Sequence, residues 1–393
     1  MCDKKTTDDF IDHNNLLTHP LETFDDMRQR CPIAHSPDNN LNKGWWAFSH
    51  AEVKQVISDE KTFSNIVSTH RSVPNGLDHP EHSRYRKLIE PFFNKAHIKA
   101  FTPQCQRIAK RLALTVKNQK NVNVIANMAE QFSVQVQCEF LGWPDDLHEP
   151  LRRWAHDNHA ATLAGNRPAM DEIAQRFSGY IDTLLTARRA NLAQVEDDVT
   201  NEILSATVNI EGRQQPISDA DIVSIMRNWT MGEIGTIAAA MGIMLHFLAI
   251  NPALQQHLRD NRQDVPEAIE EMLRRHGPLV TNRRKATRDV TLGGRTIKAG
   301  ELITVNWVAA NRDDGVFADA NEFKWGRDQH QSLLYGAGVH VCPGAPLARL
   351  ELQTMLQAVL DHSGRFTLTK HKKPISAHYP ASGYSALWLD FND

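Results

Sequence analysis

The chain has no Cys-x-x-Cys pair. Its five cysteines, Cys2, Cys31, Cys105, Cys138 and Cys342, are scattered and odd in number. A zinc site or a disulfide framework would need paired spacing, so neither is expected, and a reducing cytoplasm is the natural setting. No run of about 18 apolar residues occurs, so nothing is expected to span a bilayer. The longest apolar stretch, Thr236 to Ile250, contains His246 and reads as a helix buried inside a globule. The opening MCDKKTTDDFIDHNN lacks the apolar segment of a secretory signal. Formal net charge is only −3, which gives no global field favouring nucleic acid or anionic membranes. Repeats, low-complexity linkers and composition breaks are missing too. No Gly-x-Gly-x-x-Gly follows a strand pattern, and no cysteines have ferredoxin spacing, so any electrons must come from another protein.

What is there suffices for a large core: 393 residues, 41% of them hydrophobic. Helical periodicity runs from about Glu22 to Arg30, after Gly44–Ser49, and from His82 to Val116. It resumes over Val124–Leu141, Pro150–Leu163, Pro168–Leu192 and Val199–Ala206. Ser218 is placed to cap a long helix reaching about Ala249, with Asp219 and Asp221 in its first turn. Pro252 and Pro266 each suit the first position of a further helix. GWWAFS (Gly44–Ser49) reads as a strand, and Asp289–Trp307 alternates with Gly-Gly and Ala-Gly turns, as hairpins do. Pro346–His362 is a last helix, and Arg365–Phe391 reads as strands. The expectation is one mainly α domain over residues 1–393, with a minor, largely C-terminal β part.

The segment LLYGAGVHVCPGAPLARLE, Leu333 to Glu351, sets a lone cysteine among glycines just before a helix. Glycines gather where a bulky group comes close to backbone or where φ is positive. Cys342 so placed can be buried packing, a nucleophile or a metal ligand. A nucleophile needs a partner base, and His340, two residues away in a loop, points elsewhere. A single thiolate can also ligate haem iron. That reading requires cationic groups for two propionates. His82 and Arg86 share one helical face, and Arg284 stands where helices give way to strands. With His340 they make four candidates. Taken singly, each is an ordinary solvated residue. Likewise Glu271 and Arg274, i and i+3 on a helix, are alone no more than a surface ion pair.

In this order, the pieces resemble the cytochrome P-450 superfamily of haem-thiolate monooxygenases. Tyr335–Gly344 (YGAGVHVCPG) resembles its haem-binding loop, Glu271–Arg274 its E-x-x-R, and Asp78–Arg86 its propionate-binding helix. Ala310–Asp313 (ANRD) is a further match. The resemblance covers about Gly44 to the C-terminus. It implies a helical prism with a long central helix over haem b and small β-sheets. It also implies Cys342 as axial ligand, with Gly336, Gly344 and Tyr335 around the cofactor. Glu271, Arg274 and Arg327 would form a structural triad. Tyr335 replaces the usual Phe, and its hydroxyl needs a partner.

The resemblance implies O2 activation with two electrons, then hydroxylation or O- or N-dealkylation of a small apolar or aromatic molecule. The central helix departs from the family at MGEIGT, Met231 to Thr236. Thr236 matches the family's alcohol, but Gly235 stands where an acid is usual. Glu233, i and i+3 with Thr236, has two readings: an acid that feeds Thr236 protons, directly or by water, or a structural side chain facing elsewhere. The segment between Phe63 and Asp78 is shorter than usual. Residues expected to touch substrate are Val67, Val73, Ile234, Ala238, Leu279, Val280, Ser382 and Tyr384. A monomer is expected, with electrons from a separate ferredoxin or flavodoxin and its reductase. Arg84, Lys87 and Arg349 flank the face where such a donor would dock. Two other readings stay open: an H2O2-driven peroxygenase, which the missing acid favours, and a non-catalytic haem-thiolate protein that binds a small ligand.

Overall fold

The computed structural model describes residues 20–36, 43–190, 198–379 and 381–392. α1 (Pro20–Arg30) leads through β1 (Ile33–Ser36) and β2 (Gly44–Ala47) to α2 (His50–Ser58) and β3 (Phe63–Ser64). α3 (Glu81–Ile89) and α4 (Lys95–Val116) follow, then β4 (Val122–Asn123) and α5 (Glu130–Leu141). α6 (His148–Leu163), α7 (Arg167–Ala190) and α8 (Val199–Ser205) precede a hairpin of β5 (Thr207–Ile210) and β6 (Arg213–Pro216). Next come the longest helix, α9 (Asp219–Ile250), and α10 (Pro252–Asp260) and α11 (Val265–Arg275). The chain then turns to strands: β7 (Thr281–Ala286), β8 (Val290–Leu292), β9 (Arg295–Ile297) and β10 (Leu302–Asn306). α12 (Trp307–Asn311) and α13 (Ala345–His362) are followed by β11 (Arg365–Leu368), β12 (Ile375–Ser376), β13 (Tyr384–Ala386) and β14 (Trp388–Asn392).

Local chemistry explains the boundaries. Ser218 Oγ accepts from Asp221 N at 3.2 Å and starts α9, as its sequence predicts. Asn94 caps α4 by accepting from Ala96 N and His97 N, both at 2.9 Å. Gly142, at φ 71°, ends α5 in a left-handed cap. α9 runs through the main core, packing against α5, α7, α11 and α13. Its composition and length would suit a membrane span, but 67% of its most apolar stretch is buried inside the fold.

The mainly α class and minor β part are as expected, the strand expected at Gly44–Ser49 is β2, and two details differ. β1, β2 and β3 join β10 and β7 in a sheet ordered β1-β2-β10-β7-β3. The β5–β6 hairpin was unforeseen; its turn uses Glu211 and Gly212, both at positive φ. Cys31 is disulfide-bonded, although cysteine spacing gave no sign of pairing. The C-terminal end of the helix expected to reach Leu192 lies outside the described residues.

Candidate functional site

The loop before α13 is shaped by three local constraints. Cys342 N donates to Tyr335 O at 2.9 Å, closing the turn. Gly338, at φ 70°, passes so close to α2 that a Cβ there would stand 2.7 Å from Ile57 O. A Cβ on Gly344 would be 3.9 Å from Cys342 Sγ and 3.7 Å from the Phe93 ring. Cys342 keeps open surface, yet the sulfur lies deep enough among protein atoms that burial pushes its thiol above the ordinary value. Open surface at such depth is the wall of a recess. Backbone N–H groups of Gly344 and Ala345, with the Arg86 and Arg349 guanidiniums, act the other way and favour the thiolate.

Basic groups converge beside this sulfur. The rings of His82 (α3) and His340 lie with centroids 4.0 Å apart. Arg86 Nη2 donates to Val341 O at 2.5 Å, and its Nε pairs with Glu90 at 2.8 Å. Arg284 on β7 is buried, and its Nη1 donates to Arg283 O at 2.8 Å. Burial, then the charges of His82, Arg284 and Arg86, drive His340 down to about 3. Burial likewise lowers His82 and takes Arg284 down to about 10, opposed by Asp78. His82 Nδ1 is buried without a partner among the described residues. Such a cluster is electrostatically incomplete and calls for an anion. A recess with a thiol in its wall, backbone bared at glycines and basic groups gathered at its edge fits haem and its propionates.

Thr236 on α9 donates from Oγ1 to Gly232 O at 2.6 Å. Gly232, Gly235 and Thr236 share the more open face of the helix, and nothing lies within 4 Å of where a Cβ would stand on either glycine. Glu233 does not join them as expected. Its carboxylate is buried and accepts from Trp229 Nε1 at 3.0 Å, on the flank towards α13. Ile234 and Ala238 are also buried rather than pocket-lining, because two residues of helix turn a side chain about 200° from Gly232 and Thr236.

The remaining pocket expectations divide. Val73 is fully buried, so it is core. Its backbone is held to α9: Val73 N donates to Ser224 Oγ at 2.8 Å, and Val73 O accepts from Asn228 Nδ2 at 2.7 Å. Neighbouring Ser72 and Arg71 bond Asn228 and Asp221 at 2.9 and 3.0 Å. Val67 is exposed beyond this clasp. Val280, Ser382 and Tyr384 do come together, with Phe24, His276 and Tyr379, around a cavity of about 210 Å³. Leu279 pairs with Ala381 in an isolated bridge at its edge. Ser382 Oγ donates to Gly277 O at 2.6 Å, so this hydroxyl is already engaged.

Glu271 and Arg274 are both 0% exposed. Arg274 Nε and Nη2 bond the Glu271 carboxylate at 2.8 and 2.9 Å, and Arg327 Nε bonds it at 2.8 Å. Arg274 also donates to Asn311 O at 2.5 Å and Ala320 O at 2.8 Å, which anchors the ANRD segment. Tyr335 Oη has no partner among the described residues, and burial raises its pKa. Arg349 covers its ring at 4.4 Å and pairs with Glu270 at 2.7 Å, so this cation is engaged, whereas Lys87 is exposed. Sequence reasoning missed Glu351, an acid within the apolar stripe of α13 that includes Leu347 and Met355.

The Cytochrome P450 family profile matches residues 161–380. Putative cytochrome P450 126 of Mycobacterium tuberculosis is 30% identical over 356 residues, covering 85% of this chain and 83% of that protein. Mycinamicin IV hydroxylase/epoxidase of Micromonospora griseorubida is 29% identical over 353 residues, 86% of each chain. Among solved structures, CYP109E1 from Bacillus megaterium in complex with testosterone superposes with a TM-score of 0.83. That match has 24% identity and covers 95% of this chain and 100% of the other.

Proposed function

The chain belongs to the cytochrome P450 family of haem-thiolate monooxygenases, and from that premise we propose that Cys342 is the axial ligand of its haem b. Gly336 and Gly344 leave room for the macrocycle beside the loop. Tyr335 shields the sulfur with its ring, and the Gly344 and Ala345 N–H groups moderate the sulfur's charge. His82, Arg86, Arg284 and His340 hold the propionates. The basic cluster beside an otherwise undirected thiol is the observation that carries this assignment.

Haem bound here supplies O2 binding and its reductive activation. The protein's residues manage the surroundings. The Thr236 hydroxyl, held by Gly232 O, is placed to accept a proton and pass its own into the open side of α9. Glu233 is the nearby acid on the same helix. Val280, Ser382 and Tyr384, with Leu279 and Val67, shape where a small apolar or aromatic substrate lies for hydroxylation or dealkylation. Residues 1–393 act as a single haem domain in the cytoplasm. A separate ferredoxin or flavodoxin supplies the electrons and docks near Arg84 and Lys87.

Serine at position 342 tests the ligand. Cys342→Ser is expected to lose the thiolate-type absorbance of the reduced carbon monoxide complex. A variant that bound haem and kept the unmodified spectrum would overturn the assignment.

A further inference from the structure

Glu351 on α13 is 0% exposed and Glu233 on α9 is 7% exposed. α9 and α13 pack on one another, and the two carboxyl groups come within hydrogen-bonding reach. Trp229 Nε1 satisfies one oxygen of Glu233. The other Glu233 oxygen and both oxygens of Glu351 have no donor among the described residues. Among the described residues, the titratable groups facing the pair are Cys105 of α4, Cys138 of α5 and Tyr335 of the cysteine loop. None carries a positive charge, and burial with the nearby acids pushes both thiols up. Two carboxylates in contact in a dry interior without a cation cannot both be ionised. A proton must lie between them, and burial raises both acids, Glu351 further than Glu233.

The pair lies where a proton is wanted. Glu233 is three residues before Thr236 on one helix, and Glu351 is on the helix that begins beside Cys342. Gly235 offers no acid, and the helix face at Gly232 and Gly235 is open enough for water to approach. We propose that Glu233 and Glu351 form a carboxylic acid–carboxylate pair that retains one shared proton at neutral pH and is the buried source of the proton delivered to Thr236. This rests on the role given to Thr236 above. Glu351 hands its proton to the Glu233 carboxylate. Glu233 releases it through water to Thr236 Oγ1, and the Thr236 hydroxyl gives up its own proton towards the oxygen site. Solvent water then reprotonates the pair, so no electron moves within it.

The test uses the haem-loaded protein and its Glu233→Gln, Glu351→Gln and Glu351→Asp variants. Infrared spectra from about pH 5 to about pH 9 should show a protonated buried carboxyl in the parent protein. Each glutamine variant should lose that pH-dependent signal. After chemically reduced protein is mixed with O2, the return to the ferric state should slow at least about tenfold in both glutamine variants. Its solvent isotope effect should shrink, and Glu351→Asp should restore both. A parent protein with no protonated carboxyl signal overturns the pair. Unchanged rates and isotope effects in both glutamine variants overturn its role as proton source. The carbon monoxide spectrum separates these failures from a failure of the Cys342 assignment, which would alter the parent spectrum itself.

Discussion

Among the described residues, the glutamates buried most deeply lie in two places, and these treat the charge in opposite ways. Glu271 on α11 receives bonds from Arg274 and Arg327, and Arg274 spends its other donors on the carbonyls of Asn311 and Ala320. Arg274 shares α11 with Glu271, but Asn311, Ala320 and Arg327 all lie beyond it, so the ions lock α11 to the segment leading into the cysteine loop. Among the described residues, Glu233 and Glu351 meet no cation; Trp229 bonds Glu233, and otherwise the two acids face each other. A satisfied buried charge fixes geometry. An unsatisfied pair must hold a proton that it can release. The first arrangement suits a scaffold, and the second suits chemistry.

The sharpest way to break this contrast is Glu271→Gln. It strands Arg274 without its counter-charge and should cost about 3–5 kcal/mol in urea unfolding, with loss of haem-loaded protein. Glu351→Gln should do the reverse. The raised Glu233 pKa means that the folded state favours the proton. Stability from the neutral pair is therefore full below the ordinary carboxyl range and falls as pH rises towards about 7. The variant should gain about 1–3 kcal/mol over the parent at pH 8, and the gain should vanish near pH 5. Asn228→Ala, which removes two bonds of the clasp on α9, should cost about 1–2 kcal/mol and speed proteolysis between Ile66 and Val73. The smallest effect is expected for Tyr335→Phe. Removing an unpartnered hydroxyl should leave the unfolding midpoint unchanged or raise stability by about 1 kcal/mol.

The scaffold half of the contrast was legible in sequence because its signals are local. The E-x-x-R spacing, the glycines around Cys342 and the Ser218 cap each fix a short-range geometry. The proton-holding half was only partly legible. Glu233 stood out as the acid nearest Thr236, but its direction depends on what α13 presents to it. Glu351 could have been noticed as an acid inside an apolar stripe. Ile234 and Ala238 were misplaced because α9 is apolar around much of its circumference, so its pattern does not say which side meets a cavity. Val73 was misplaced because its burial comes from hydrogen bonds to residues about 150 positions away. The β5–β6 hairpin carried one weak signal, a Glu-Gly pair at the turn.

The clasp between Arg71–Val73 and α9 gives the molecule a mechanical property. Its anchors, Asp221, Ser224 and Asn228, rise along two turns of a single helix, so the loop is carried by that helix as a passenger. A load on this loop passes straight into the helix, so the two shift together as one rigid body rather than independently.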